Sequence, residues 1–145
     1  AAGLATYRER DDVFREADFL TVHCYLDETT RRSIGMREFR LMKPTAFFIN
    51  TARGGIVDQD ALVEALTSGA IAGAGLDVMD PEPLDPSHPL CRLPNVVLLP
   101  HIGSATVETR RAMIELATRN TIAALTGGTP EAMVNPEALA HRVPV

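Results

Sequence analysis

Four short apolar runs, separated by stretches of helical character, limit what this chain can fold into. They occupy residues 18–23 (DFLTVH), 46–50 (AFFIN), 73–78 (GAGLDV) and 96–99 (VVLL). A strand with one wet face alternates apolar and polar residues. These runs are apolar nearly throughout, as strands covered by helices on both faces are. Strand and helix in alternation specify an α/β architecture around a parallel sheet. The helices carry their own punctuation. Asp58 stands where an N-cap belongs, ahead of an apolar stripe of Leu62, Ala65 and Leu66, and Gly69 closes the element. A short helix is expected over 35–43, stopped by Pro44. A long one is expected over 105–125, with Met113, Leu116, Ala117, Asn120 and Ala124 on one side and Gly127-Gly128 at its end. The last stretch, TPEAMVNPEALAHRVPV, is Pro-rich without a clear period and is expected to leave this domain and lie on another.

The rest of the composition excludes several classes of function. Net charge is -5 with acids and bases interleaved, so the clustered basic surface that nucleic acid requires is absent. A small anionic substrate would need a local cation, because the overall field does not attract it. Cys24 and Cys91 are far apart, with no CxxC and no Cys/His pair at zinc spacing. They read as reduced thiols of a cytoplasmic protein, and no metal site is expected. No apolar run approaches the roughly 20 residues that span a bilayer. The opening AAGLATYRERDD has no signal-peptide layout and lacks a Met, and the chain reads as a piece of something longer.

A doubly wound sheet binds its ligands beyond the carboxyl ends of its strands. The chemically interesting residues sit there. Asn50-Thr51-Ala52-Arg53-Gly54-Gly55 follows the second run, Asp77 ends the third, and Pro100-His101-Ile102-Gly103-Ser104 follows the fourth. Arg53 could be an ordinary surface arginine, Glu82 between Pro81 and Pro83 a solvated loop residue, and His101 a structural histidine. Together they form a set that can reduce a 2-keto acid. A guanidinium matches a carboxylate with two parallel hydrogen bonds. Histidine is the natural acid near neutral pH, and a neighbouring carboxylate favours its charged form and fixes its orientation. The two glycines after Arg53 are read as permitting a sharp turn.

With those residues named, the chain resembles the D-isomer-specific 2-hydroxyacid dehydrogenase family over residues 17–135. The resemblance is firmest in FINTARGGIVDQDALVEAL, GAGLDVMDPEPL and NVVLLPHIGSATVETRRAM, the family's second and third sequence patterns in kind and order. The run HPLCRLPNVVLLPHIGSAT is most similar to the glyoxylate/hydroxypyruvate reductase and 2-ketogluconate reductase branch. The resemblance implies a Rossmann-like parallel sheet with flanking helices. Residues 1–127 would be the C-terminal part of an NAD(P)-binding domain lacking its first strands. Residues 128–145 would return toward a mostly absent substrate domain. It implies that Arg53 binds the substrate's carboxylate and carbonyl, that His101 is the acid/base, and that Glu82 is its partner. It places Asp77 near the nicotinamide and its carboxamide. Thr51, Ala52, Arg53, His101, Gly103 and Ser104 would also stand against the cofactor, NAD or NADP. Formate dehydrogenases of this fold carry Gln at the position of Glu82, so Glu82 favours an alcohol/ketone couple. Relatives are mostly homodimers, and the same is expected here.

Two departures from the family stand out. Relatives often continue the position of His23 as H-x-P-L-T. This chain reads His23-Cys24-Tyr25-Leu26-Asp27, which weakens any adenosine contact assigned to that loop. His23 is read as structural, and His88 and His141 as surface residues. No GxGxxG occurs, nor the ribose-reading residue that follows it, so NAD and NADP stay open and the 145 residues by themselves are expected to be inactive. The alternative function is a non-catalytic corepressor-like protein of the same fold that senses the dinucleotide.

Overall fold

The computed structural model describes residues 5–141, so the Ala-rich opening and the final four residues lie outside it. Two compact units divide the chain, the first ending at Gly103 and the second beginning at Ser104. The first holds four strands, β1 (Phe19–Val22), β2 (Phe47–Asn50), β3 (Gly73–Leu76) and β4 (Val96–Leu98), all parallel and ordered β1-β2-β3-β4. Each expected strand is present, trimmed by one or two residues at its ends.

Register explains where the core sits. Leu20, Phe48, Ala74 and Val96 align in one row, and Val22, Asn50, Leu76 and Leu98 in another. Alternate residues of a strand point to the same face, so these two rows share a side. That side is buried: Leu20, Val22, Phe48, Ala74 and Leu76 join Phe14, Phe39, Leu62, Ala65 and Leu66 in one core cluster. Phe14 comes from α1 (Arg10–Glu16), Phe39 from α2 (Met36–Leu41) and the last three from α3 (Gln59–Ser68). The Phe39 ring meets Phe48 edge-on, centroids 5.3 Å apart, the geometry that the ring quadrupoles prefer.

On the opposite side, among the described residues, Phe19 is 69% exposed, Phe47 43% and Val97 63%. Phe19 and Phe47 stack on each other at 5.5 Å. Apolar character on that side therefore marks a face left open among the described residues.

Local signals set the helix ends. Asp58 accepts the Ala61 N–H at 3.2 Å as the N-cap of α3, and Gly69 leaves the helix in the left-handed region at φ 73°. Glu38 accepts the Gly35 N–H at 3.0 Å and opens α2. Asp58 has a second duty, an ion pair with Arg32 at 2.9 Å that holds its carboxyl below the ordinary range. α1 was not foreseen.

The second unit is built on α4 (Val107–Leu125), capped by Thr106, whose hydroxyl accepts the Thr109 N–H at 3.1 Å. No residue of α4 is buried, and Met113 is 56% exposed. Asn120 Oδ1 accepts the Glu131 N–H at 2.9 Å, and Arg119 pairs with the Glu131 carboxylate at 2.7 Å, tying the Pro-rich tail to the helix. No helix among the described residues is long and apolar enough to cross a membrane.

A core ring and an exposed cap should differ in weight. Phe39→Ala is expected to cost about 3–5 kcal/mol, and Asp58→Ala about 1 kcal/mol. Urea midpoints of the two variants check this, and comparable small shifts would contradict the packing described.

Candidate active site

Asn50 is where β2 stops being a strand and begins to build a site. It is fully buried, and its side chain closes the turn that follows: Oδ1 accepts the Ala52 N–H at 3.0 Å and Nδ2 donates to the Arg53 carbonyl at 2.9 Å. The turn is also held from the chain before it. Arg32 N–H donates to Gly55 O at 2.8 Å, and Asp58 N–H to Ile34 O at 2.8 Å. Arg53 emerges exposed from this frame. One guanidinium nitrogen donates to Ala52 O at 2.7 Å, and among the described residues no carboxylate pairs with the side chain. Most of its five N–H donors are thus left for a ligand. Arg32, Arg37 and Arg119, by contrast, are spent on carboxylates.

The glycines after Arg53 serve a different purpose from the one expected. Neither has positive φ. A Cβ on Gly54 would fall on the Met79 carbonyl and close to Asp80 N. Gly54 is glycine because the Arg53 turn and the backbone of the 79–83 loop lie against each other. Gly55 is less crowded: a methyl there would meet only side-chain atoms of Leu26, Asp80 and Arg31, at 3.1–3.5 Å.

The 79–83 loop carries Glu82. Its Oε1 accepts the Met79 N–H at 2.9 Å, and its Oε2 lies 2.9 Å from His101 Nδ1. His101 itself sits at φ 56°, the left-handed region that a residue with a Cβ enters at a cost of roughly 1–3 kcal/mol. Asp77, buried at the end of β3, supplies the compensation. Its two oxygens accept the N–H groups of Ile102 and Gly103, both at 2.8 Å. A Cβ on Gly103 would stand 2.9 Å from that carboxylate, so only glycine lets the chain come this close. With Nδ1 taken by Glu82, the Nε2 edge of a half-exposed ring faces outward with no hydrogen-bond partner among the described residues.

Electrostatics follows from these contacts. The hydrogen bond with His101 is the main cause holding the Glu82 carboxyl below its ordinary value of 4.5; burial opposes it, and Met79 N–H, the His101 charge and the Arg53 charge add to the lowering. Arg53 therefore acts on the pair through its field, although it lines another cleft. That cleft, about 540 Å³, is bounded by His23, Cys24, Tyr25, Leu26, Thr51, Ala52 and Arg53. Glu82 and His101 border one of about 460 Å³ with apolar walls from Met79, Leu84, Leu98 and Leu99.

Of the expected site residues, Arg53, Glu82 and His101 thus occupy adjoining strand ends, and Thr51 and Ala52 line the Arg53 cleft. Asp77 has both oxygens engaged by backbone. Ser104 is exposed. His23 is exposed and bonds Thr21 at 3.0 Å, and His141 is exposed. His88 is not the surface residue expected: half-buried, its Nδ1 accepts the Leu90 N–H at 3.2 Å. The reading of the sequence named Asn50 without giving it a role, and it missed Gln59. A lone amide ending the apolar run FFIN was the available signal for the first; nothing marked the second. No cluster of metal-ligating side chains occurs among the described residues.

The sequence and fold have known counterparts. Residues 1–103 match the family of D-isomer specific 2-hydroxyacid dehydrogenases, NAD binding domain, and the chain belongs to that family. It is 50% identical over 136 residues to a glyoxylate reductase of Thermofilum pendens, covering 94% of this chain and 40% of that protein. It is 50% identical over 135 residues to the glyoxylate/hydroxypyruvate reductase B of Pectobacterium carotovorum, covering 93% of this chain and 42% of that protein. Among solved structures, the NAD-complexed D-isomer specific 2-hydroxyacid dehydrogenase of Lactobacillus delbrueckii superposes with a TM-score of 0.81 at 36% identity, covering 90% of this chain and 43% of that one. The chain thus spans less than half the length of the curated relatives it matches.

Two outcomes check the site. Because the folded pKa of Glu82 lies below the unfolded value, the pairing contributes fully above pH 4.5 and is lost as pH falls through the lower folded value. The Glu82 side-chain 13C signal should titrate below 4.5 and move upward in His101→Phe; a wild-type midpoint at or above the ordinary value contradicts the pairing. Gly54→Ala should displace the 79–83 loop and lower thermal stability more than Gly55→Ala, measured side by side by calorimetry.

Proposed function

We propose that this chain carries the catalytic residues of an NAD(P)-dependent D-2-hydroxyacid dehydrogenase that reduces small 2-keto acids such as glyoxylate and hydroxypyruvate. The observation that carries the reading is the Glu82–His101 pair, its second imidazole nitrogen open to a ligand, beside an arginine with no carboxylate partner among the described residues. The names of the relatives support the choice of substrate.

The chemistry of the donor set fits a dinucleotide. Exposed Thr51, the Ala52 backbone and Arg53 border an open cleft at the ends of β1 and β2, where a doubly wound sheet takes its ligand. Thr51, Ala52, Arg53, Asp77, His101 and Gly103 are the residues that would hold it, and when bound it supplies the hydride. Asp77 would serve chiefly by holding the 101–103 segment.

The chain's own residues do the rest. Arg53 presents a planar fork that binds a carboxylate through two charge-assisted hydrogen bonds and draws electron density from an adjacent carbonyl. His101 delivers a proton from Nε2 to the carbonyl oxygen as the alcohol forms. Glu82 accepts the Nδ1–H, which fixes the ring and stabilises its charged form during the transfer. In the reverse direction the same nitrogen takes the hydroxyl proton. Positioned acid catalysis of this kind is worth about 10²–10⁴-fold.

In the full-length protein, His101→Ala is expected to lower kcat for glyoxylate by roughly 10²–10⁴-fold. Arg53→Ala should act chiefly on kcat/KM, since it removes the carboxylate's partner. Oxidation of the reduced dinucleotide, followed by its nicotinamide absorbance as a function of glyoxylate concentration, measures both. Near-normal kinetics in both variants would overturn the assignment.

A further inference from the structure

We propose that Gln59 is a positioning residue for the Glu82–His101 pair, acting through the backbone of Asp80. The inference rests on the catalytic reading of that pair. The 79–83 loop has no regular secondary structure, and Glu82 is exposed within it, so something outside the loop must hold the carboxylate to its register. Besides the bond to His101 itself, three contacts are available. One is internal, the Met79 N–H to Glu82 Oε1 bond, and moves with the loop. A second is steric, the backbone of Met79 and Asp80 against Gly54, and it blocks approach from one side only.

Gln59 supplies the third, which is directional. Its Oε1 accepts the Asp80 N–H at 3.1 Å across 21 residues of sequence. The amide comes from the first residue of α3, the helix turn that Asp58 caps and Arg32 braces. Its nitrogen lies 3.2 Å from His88 Nε2, so that ring stands beside the amide at the far end of the loop. The side chain is half-buried. A mechanical path thus runs from the capped helix through Gln59 to Asp80, then to Met79 and Glu82, and on to the imidazole. Gln59 itself touches neither Glu82 nor His101, and its role is to fix the angle at which Glu82 meets the ring. Misplacement of a catalytic group by about 1 Å, from a change remote from the chemistry, can cost on the order of 10²-fold in rate.

The test compares Gln59→Glu, Gln59→Asn and Gln59→Leu in the full-length protein, with kcat and KM for glyoxylate measured across the pH range. Glutamate keeps an acceptor at the same reach and should retain kcat within about threefold, by the modest net worth of a swapped hydrogen bond. Leucine removes the acceptor and asparagine withdraws it by one methylene. Both should lose about tenfold or more in kcat, with KM changed far less, because the Arg53 fork is intact. The limb of the pH–rate profile set by the Glu82–His101 pair should also move in these two. If leucine prevents folding, asparagine carries the comparison. Wild-type kcat and pH profile in Gln59→Asn, even with a lowered Tm, would overturn the proposal, as would an equal loss in Gln59→Glu. Glu82→Gln in the same assay separates the two ideas. If it leaves turnover unchanged, the catalytic reading falls; if it abolishes turnover while Gln59→Asn behaves as wild type, only the positioning role falls.

Discussion

A buried carboxylate at the end of β3 sets the direction of the His101 imidazole. Asp77 engages the amides of Ile102 and Gly103 at 2.8 Å each, and that pair of bonds to the backbone is what keeps the preceding residue, His101, in a left-handed conformation it would not otherwise hold. Hydrogen bonds to a charged acceptor are worth roughly 1.5–3 kcal/mol each, enough to offset a left-handed histidine at roughly 1–3 kcal/mol. The aim of the ring is consequently a backbone property. Glu82 meets a ring already turned toward it.

Arg53 is brought into the same neighbourhood by a different force, contact between bare backbones. Because Gly54 has no side chain, the turn after β2 and the loop after β3 touch directly, and the positive charge of Arg53 reaches Glu82 strongly enough to contribute to its lowered pKa. A chain carrying net charge -5 has in this way set beside the Glu82–His101 pair a cation that no carboxylate among the described residues neutralises. The alternative of a non-catalytic dinucleotide sensor draws nothing from this arrangement, and the named relatives are reductases and dehydrogenases.

How much of this was legible in the sequence depends on the range of the interaction. Strands, the α3 cap at Asp58 and its left-handed exit at Gly69 are local, and all three were readable. Arg53, Glu82 and His101 were readable as residue types at strand ends, and the structure gives the distance between the last two. What could not be read was tertiary. The glycine after Arg53 suggested a turn, whereas its reason is a neighbour 25 residues downstream, Met79. Gln59 is an ordinary helix-start residue until Asp80 is placed against it. His88 reads as a surface histidine because its Leu90 contact involves backbone, which leaves no side-chain signature. Apolar strands suggested cover on two sides; an apolar run cannot distinguish a covered face from one awaiting cover.

That open face has its own thermodynamic meaning. Phe19, Phe47 and Val97 stand in water on a sheet whose other side is packed, and their apolar area contributes nothing to folding while it stays wet. At roughly 25 cal/mol per Å², any polypeptide laid across the stacked rings would collect that free energy at once. Among the described residues, the stacked rings are thus apolar area whose burial would add stability rather than cost it.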